Sequence, residues 1–349
     1  MITEANSQRG TMRNSNNVLL VGGGITSSLI TFLLRNNVSY VFEVWEAHEE
    51  IGGRMRTFYN EFSSTNIDLG AQYVTTDENR LRLYHTVYDF LISHNILTPL
   101  ICNVENLRTQ PKNTCNYVAR DGMSSLVKQL FANSNIRNIR TSLPVKCLNI
   151  QEQIILANEG TESFDAVILT PPVPDILEIQ GSFREIMSEE HLHKLKQIKY
   201  SSRFVLVLVY NQVLNVTWAA TYMPSDQIFR YAAIQEKKVE SGSCHSSVVL
   251  HTSVEFGTEY KEPEEVQSIL EEHVRRIFPE WPQPIRVNCY KWDHSQVTSA
   301  YENKPGCVVL HTKPLVVITG DGFTASNFDG CIAAANSTID VMFDVFANR

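Results

Sequence analysis

The alternation of apolar and polar residues predicts a strand, a glycine turn, a helix and a second strand near the start of the chain. Residues 18–21 (VLLV) form a short, wholly apolar run, which is typical of a buried parallel strand. Three glycines follow, and residues 25–35 then continue without a helix breaker. Residues 40–45 (YVFEVW) are β-branched or aromatic at most positions, as in a strand. This order over roughly thirty residues predicts a βαβ unit.

Strand and helix signals continue along the rest of the chain. An acidic amphipathic helix is predicted from the apolar spacing of Val266, Ile269, Leu270, Val274 and Ile277. The same reasoning predicts a helix over 80–95, strands over 164–170, 203–210 and 247–254, a strand over 315–319 and a helix over 331–346. No helix signal lies between the strands over 203–210 and 247–254.

The distribution of these elements predicts an α/β fold. Signals of a βαβ unit lie at both ends and strand signals lie between them, so we expect a Rossmann-type nucleotide-binding domain with an inserted mixed β-sheet substrate domain. The predicted segments are a disordered N-terminal arm over 1–16, a discontinuous nucleotide-binding domain over 17–80, 110–175 and 285–349, and a substrate domain over 81–109 and 176–284.

Composition narrows the class of protein. The chain has 349 residues, 43% of them apolar and 19% charged, which is the balance of a soluble globular protein. A net charge of -8 argues against nucleic acid as the main partner. Seven cysteines occur without any C-x-x-C spacing, so we expect neither a structural metal site nor a dithiol redox pair.

The N-terminal region predicts where the protein resides. Residues 1–16 are polar and lack the apolar run of a cleaved secretory signal, and glycines interrupt the apolar stretch over 18–34. We therefore expect a cytoplasmic protein with no membrane partner, while export by a route without a signal peptide stays open.

The glycine turn carries the first chemical motif. Gly22 allows a tight turn, Gly24 lets the backbone approach a pyrophosphate, and the following helix N-terminus supplies N–H groups. Glu46, directly after the second strand, is placed to accept hydrogen bonds from ribose hydroxyls. Ser27 replaces the third glycine of the motif, which predicts weaker rather than abolished dinucleotide binding. A glycine turn in an ordinary βαβ unit is the alternative interpretation.

Two further motifs lie close to Glu46. Residues 51–55 (IGGRM) place Gly53 beside Arg54, whose guanidinium is suited to reach phosphate oxygens at close backbone range. Residues 68–73 (DLGAQY) form a compact turn that by itself indicates only a loop.

The last motif lies at the end of a predicted strand. Asp321, within 318–323 (ITGDGF), is suited to bind the hydroxyls of a sugar alcohol. The helix that begins near Asn327 and Phe328 is expected to direct its dipole at a developing anion.

Taken in order, these motifs resemble those of the amine-oxidase-like flavoproteins of the glutathione-reductase-like superfamily. One branch of that family is also similar to this chain over 169–177 (LTPPVPDIL), 200–203 (YSSR), 291–298 (KWDHSQVT) and 320–331 (GDGFTASNFDGC). The resemblance extends from about residue 18 to about residue 345. It implies non-covalently bound FAD in a two-domain fold whose second sheet covers the isoalloxazine ring.

The resemblance also implies an activity and a set of cofactor contacts. It implies oxidation of 1,2- and 1,6-dihydro isomers of NAD(P) to β-NAD(P)⁺ by hydride transfer to FAD, with O₂ reduced to H₂O₂. The partners would then be a small dinucleotide substrate and O₂. The positions that match FAD or dinucleotide contacts of the family are Gly22, Gly24, Thr26, Glu46, Arg54, Gln72, Tyr73 and Asp321.

Six residues are candidates for the flavin pocket, because hydride transfer to a flavin depends on orientation more than on acid–base groups. Trp292, His294 and Gln296 share one short predicted strand. Tyr222, Arg230 and His251 are the other three. Each also has an ordinary structural explanation, most of all His251, which is centred in an apolar strand.

Three other functions remain open from the sequence. The first is a monoamine oxidase, which would share the nucleotide motifs. A cysteine linked covalently to the flavin would precede an aromatic residue in that family, whereas Cys244 is followed by His245. An amine oxidase that binds its flavin non-covalently therefore stays open. A degenerate fold that binds a partner without FAD is the second alternative, and an NAD-dependent dehydrogenase is the third. If saturating FAD fails to raise the thermal midpoint of the purified protein, the degenerate fold is favoured. A yellow, FAD-loaded preparation would argue against the dehydrogenase.

Overall fold

A six-stranded sheet built from both ends of the chain forms the first half of the structure. The computed structural model describes residues 15–59, 61, 65–152, 154–158 and 162–347, so nearly all of the predicted arm over 1–16 lies outside the described residues. In spatial order the strands of this first sheet are Cys307–Thr312, Leu315–Thr319, Ala166–Leu169, Asn16–Val21, Tyr40–Trp45 and Ile136–Arg140. The last five are parallel, and Cys307–Thr312 is antiparallel to its neighbour.

The first sheet is buried on both faces, which explains why its central strands are continuous apolar runs. Val18 and Leu20 point into a core shared with the helices Ile25–Leu33, Ser124–Ala132 and Phe328–Ala347. Leu19 and Val21 point into a second core on the other face of the sheet. The carboxyl ends of the parallel strands therefore meet at one edge of a rigid layer.

A second six-stranded sheet stands beside the first. Its strands are, in spatial order, Arg286–Ser299, Lys199–Tyr210, Ser246–Thr252, Phe229–Ile234, Ala220–Tyr222 and Val104–Glu105. On one face, Phe204 and Leu206 pack against the helix Pro263–Ile277. On the other face, Val205 and Val207 pack against the segment that contains Ile67 and Leu69. This second face borders the candidate site.

Smaller elements connect the two sheets. One three-stranded sheet consists of Leu148–Ile150, Ile155–Ala157 and Ser163–Phe164. A second consists of Val74–Asp77, Thr114–Ala119 and Leu97–Pro99. Thr57–Phe58 and Ile67–Asp68 form a separate strand pair. The remaining α-helices are Glu78–Leu83, His85–Ser93, Val173–Leu177, Glu189–Lys196, Gln235–Lys238 and Val254–Glu259. Short 3₁₀ turns cover Gly53–Met55, Ser182–Ile186 and Asp321–Phe323.

The structure confirms the α/β class and the first βαβ unit but divides two predicted elements. The predicted helix over 80–95 is two helices, because Tyr84 leaves helical geometry with φ -107° and ψ 29°. The predicted strand over 164–170 is interrupted at Asp165, so that its two parts belong to different sheets. A short helix, Gln235–Lys238, also lies where no helix signal was found.

Near the C-terminus two predicted limits differ from the structure. The sequence pattern places 285–349 with the nucleotide-binding segments, whereas Arg286–Ser299 pairs with Lys199–Tyr210 in the second sheet. That strand is 14 residues long rather than short. The final helix begins at Phe328, one turn before the predicted start at residue 331.

One described helix, Phe328–Ala347, is long and apolar enough to cross a membrane by length and composition alone. Ile332, Ala335 and Met342 of this helix are buried in the core beside the first sheet. Its apolar character is therefore accounted for by packing within the fold.

Candidate functional site

Two glycine segments form a cradle at the carboxyl edge of the first sheet. Gly22 has φ +97°, and a Cβ there would lie 2.7 Å from Thr170 Oγ1. The Gly52 amide donates to the Gly23 carbonyl at 2.9 Å, and a Cβ on Gly53 would lie 3.5 Å from Gly24 Cα. A Cβ on Gly24 would meet nothing within 4 Å. The backbone beside Gly24, at the start of Ile25–Leu33, is thus open to a pyrophosphate, which is the fit expected of a dinucleotide cofactor.

Glu46 organises the same cradle. Its Oε2 accepts the Gly23 amide at 2.7 Å and its Oε1 accepts the His48 amide at 2.9 Å, and the residue is 6% exposed. Each carboxylate oxygen has a second lone pair, which leaves acceptor capacity for a ribose diol. Glu46 therefore also stabilises the glycine turn, a role that the motif alone does not indicate.

The replacement of the third glycine is accommodated by a hydrogen bond. Ser27 is fully buried, and its Oγ lies 3.0 Å from Oγ1 of Thr170, at the end of a neighbouring strand. Thr170 in turn donates to the Val21 carbonyl at 2.9 Å. Close packing of helix and strand is therefore retained with serine. Thr26, the next predicted contact, is also buried.

Arg54 and Asp321, predicted as separate cofactor contacts, form a bidentate ion pair. The two nitrogen–oxygen distances are 2.8 and 2.6 Å, and Ser326 Oγ donates to the same carboxylate at 2.9 Å. Burial alone would lower the pKa of Arg54, but the Asp321 carboxylate raises it above its ordinary value. The guanidinium stays cationic beside the cradle, with N–H groups left for phosphate oxygens.

The side chains of Asn327 and Phe328 are occupied within the protein. Asn327 Oδ1 accepts the Gly330 amide at 2.7 Å, as the cap of the final helix. The Phe328 ring is buried, with its centroid 5.6 Å from that of Tyr88. Both side chains are therefore engaged within the protein, and the assignment of Asn327 and Phe328 to the cofactor site stays a prediction that rests on the backbone of the helix start.

A buried polar network holds the loop over 68–73. Lys238 Nζ lies 2.8 Å from Asp68 Oδ2, and each side chain is 2% exposed. Gln72 Nε2 donates to the Asp68 carbonyl at 2.6 Å, while its Oε1 accepts from Gln235 and Lys238 at 3.2 and 3.3 Å. Gln72 is thus a fixed part of the loop. Lys238 carried no sequence signal, because it lies in a helix that the pattern did not predict.

Two of the six pocket candidates, Tyr222 and His251, lie in one row with Tyr231 on the second sheet. Tyr222, Tyr231 and His251 are paired in register across three adjacent strands. Ring centroids lie 5.2 Å apart for Tyr222 and Tyr231, and 5.8 Å apart for Tyr231 and His251. Tyr73 reaches this row from the opposite loop, with its hydroxyl 2.5 Å from that of Tyr222. The sequence pattern does not single out Tyr231, because a tyrosine within an apolar strand is not part of any recognisable motif.

Trp292 completes this surface, which we call the aromatic face: Tyr73, Tyr222, Tyr231, His251 and Trp292. The indole Nε1 donates to the Leu69 carbonyl at 3.1 Å. A Cβ on Gly70 would lie 3.5 Å from the same ring. The glycine of the loop therefore admits the tryptophan, and the loop and the second sheet meet here.

The other three candidates are not part of the aromatic face itself. His294 Nε2 is 3.4 Å from Asp175 Oδ1, and its ring centroid is 5.2 Å from that of Tyr200. Gln296 is exposed and pairs with Ser201, so its assignment to the pocket stays a prediction. Arg230 donates to the Pro224 carbonyl at 3.1 Å. The strand pairing is irregular beside these residues, between Ser201 and Arg203 and between Phe229 and Tyr231.

Two polar atoms of the aromatic face have no partner in the described part of the chain. Tyr231 Oη and His251 Nε2 are buried without a hydrogen bond. The pKa of His251 is lowered to about 3, chiefly by burial and to a smaller extent by the positive charges of Arg203 and Lys238, while the Leu69 backbone opposes this shift. Burial also raises the pKa of Tyr231. Both groups are therefore neutral near pH 7 and free to hydrogen-bond a ring system.

The neutral state of His251 predicts a pH effect on stability. Below about pH 6.5 the unfolded chain takes up a proton at this histidine, whereas the folded protein does so only near pH 3. Stability contributed by this group is thus lost as the pH falls through that window, by up to about 1.4 kcal/mol per pH unit. In urea unfolding between pH 6 and pH 4.5, His251→Gln should lose less stability than the wild type. Parallel losses in the two proteins would contradict this assignment.

Comparisons with known proteins agree with this geometry. The family described as flavin containing amine oxidoreductase matches residues 93–337, and an NAD(P)-binding Rossmann-like domain matches residues 20–87. Renalase of Mus musculus is 37% identical to this chain, over 93% of this chain and 98% of that protein.

Solved structures share the fold at low identity. A protein assigned as a protoporphyrinogen oxidase, from Exiguobacterium sp. 255-15, is 12% identical with a TM-score of 0.73 and covers 94% of this chain and 98% of its own. An oxidoreductase from Methanosarcina mazei is 12% identical with a TM-score of 0.64, over 93% and 100%. The family matches confirm the resemblance inferred from the motifs and show a flavin-dependent oxidoreductase. This chain belongs to the family of flavin-containing amine oxidoreductases, as a renalase-like member.

Proposed function

We propose that this protein binds FAD non-covalently and oxidises 1,2- and 1,6-dihydro isomers of NAD(P) to β-NAD(P)⁺. The bound flavin supplies the hydride acceptor, and O₂ then takes up the electrons as H₂O₂. The observation that carries the proposal is the charge beside the aromatic face. Arg203 stands opposite Trp292 in the strand register, on the side of the sheet that carries the aromatic face, and its guanidinium is held there by the Thr252 carbonyl at 2.6 Å. Such surroundings repel a protonated amine and attract a dinucleotide that carries phosphates.

The cofactor would be held by the cradle at the edge of the first sheet. Gly24 and the start of the first helix offer backbone N–H groups, Glu46 offers acceptors, and Arg54 offers a paired cation. The Cys331 thiol lies near this cradle, and burial raises its pKa to about 12. It therefore stays protonated and is a poor nucleophile, which supports non-covalent binding.

The aromatic face would orient the substrate. Trp292 is fixed by its bond to the Leu69 carbonyl, and Tyr222 is fixed by Tyr73. Flat rings held in this way exclude water and position a planar nicotinamide ring. His251 Nε2 and Tyr231 Oη provide neutral hydrogen-bonding groups for its carboxamide. None of these residues needs to exchange a proton for hydride transfer to proceed.

An anaerobic titration of the purified, flavin-loaded protein tests the proposal. The visible flavin band is followed while 1,6-dihydro-NAD, β-NADH and a panel of amines are added separately. We expect rapid bleaching by the dihydro isomer alone, reversed by air with release of peroxide. Bleaching by an amine alone would assign the protein to the amine oxidases, and bleaching by β-NADH alone would indicate a dehydrogenase. A colourless protein that ignores added FAD would favour a non-catalytic binding role.

A further inference from the structure

Two arginines border the aromatic face of the second sheet. Arg203 is opposite Trp292 in the strand register and lies two residues before Val205, which pairs with His251. Alternation along a strand therefore places Arg203 on the side of the sheet that carries the aromatic face. The influence of Arg203 on the pKa of His251 agrees with this placement.

Arg230 reaches the same region through a β-bulge. The register shifts between Phe229 and Tyr231, so Arg230 departs from the regular alternation of its strand. Its charge lowers the pKa of Arg203, after the larger effect of burial. Geometry places the two arginines together: Arg203 Nη1 donates to the Thr252 carbonyl at 2.6 Å, and Thr252 is paired with Phe229, the residue directly before Arg230. Arg230 Nη1 in turn donates to the Pro224 carbonyl at 3.1 Å.

Neither guanidinium has a carboxylate partner within 4.0 Å among the described residues, whereas Arg54 and Arg140 are both paired. Glu255 raises the pKa of Arg203 but does not lie within ion-pair distance. Burial nevertheless outweighs the attraction of Glu255, so that the pKa of Arg203 stays below its ordinary value. Neighbouring, partly buried cations without an ion-paired carboxylate lose hydration and repel each other. A bound anion would remove both costs.

We propose that Arg203 and Arg230 form a subsite for the diphosphate group of the dinucleotide substrate. The identity of this ligand rests on the proposed function. A planar guanidinium offers two parallel N–H donors to phosphate oxygens, and two such groups match a diphosphate in charge and in donor number. The unpartnered His251 Nε2 beside Arg203 leaves the adjoining aromatic face for the nicotinamide end.

Binding of ADP-ribose to the FAD-loaded protein tests the subsite without requiring a reaction. This probe carries the diphosphate and lacks the nicotinamide, and its binding is followed by calorimetry. We expect the wild type to bind ADP-ribose and Arg230→Gln to weaken binding about 10-fold or more. Arg203→Gln should do the same, and Arg203→Lys should restore part of the affinity.

The matched control is Arg275→Gln. Arg275 is 58% exposed on the helix Pro263–Ile277, which packs against the opposite face of the same sheet. The Arg275→Gln variant should bind ADP-ribose with the affinity of the wild type. Arg203 is half-buried, so if Arg203→Gln does not fold, the more peripheral Arg230→Gln still decides the question.

The outcomes separate the subsite from the proposed activity. Wild-type affinity in Arg230→Gln, or no ADP-ribose binding by the wild type, would overturn the subsite. Arginine-dependent binding of ADP-ribose by a protein whose flavin no dihydro isomer reduces would support the subsite and overturn the activity. If 1,6-dihydro-NAD reduces the flavin with the same Kd in the wild type and in Arg230→Gln, the subsite is overturned while the proposed activity stands.

Discussion

Replacing Lys238 by methionine is expected to cost the folded protein about 3–5 kcal/mol. The Nζ of Lys238 lies 2.8 Å from Asp68, and both side chains are 2% exposed, so the substitution leaves a buried carboxylate without its cation. It also removes a donor to Gln72 within the loop over 68–73. The free energy of unfolding of the FAD-loaded protein, measured in urea, tests this expectation.

Two further variants isolate the buried pair. Asp68→Asn combined with Lys238→Met removes both charges and should recover part of the lost stability. Lys194→Met breaks an exposed pair with Glu190 at 2.8 Å and should change stability by less than about 1 kcal/mol. A loss in Lys238→Met no larger than in Lys194→Met would show that the buried pair contributes little.

Arg54→Ala is expected to weaken FAD binding about 100-fold or more. The substitution removes a cation beside the cradle and leaves the Asp321 carboxylate, which Arg54 contacts through two nitrogens, without its partner. Each charge-assisted hydrogen bond of this kind contributes about 1.5–3 kcal/mol. Quenching of FAD fluorescence by the apoprotein gives the Kd directly.

Arg56→Gln is the matched control for this measurement. Arg56 lies two residues further along and is exposed, so its substitution should leave the Kd for FAD close to that of the wild type. Arg54→Lys should lie between the wild type and Arg54→Ala, since a lysine keeps the charge but loses the planar fork. An unchanged Kd in Arg54→Ala would show that the Arg54–Asp321 pair is structural only.

Two expectations drawn from local sequence patterns, one on a helix and one on a group of side chains, differ from the structure. The pattern predicts one helix over 80–95, but the backbone leaves helical geometry at Tyr84, a break that the apolar spacing does not indicate. Trp292, His294 and Gln296 were grouped because they alternate along one strand. Their surroundings differ instead: the Trp292 indole donates to the Leu69 carbonyl, His294 lies 3.4 Å from Asp175, and Gln296 is exposed.

By itself, the sequence determined the α/β class, the first βαβ unit and the glycine motif, because hydrophobic period and turn residues act over short stretches of chain. It also carried the family resemblance through motifs that are contiguous in the chain. Only the tertiary structure decided which candidates meet. Trp292 bonds to Leu69 and Tyr73 to Tyr222 across separations of 223 and 149 residues. Contacts of that range depend on how the second sheet lies against the loop over 68–73, and no local pattern encodes that arrangement.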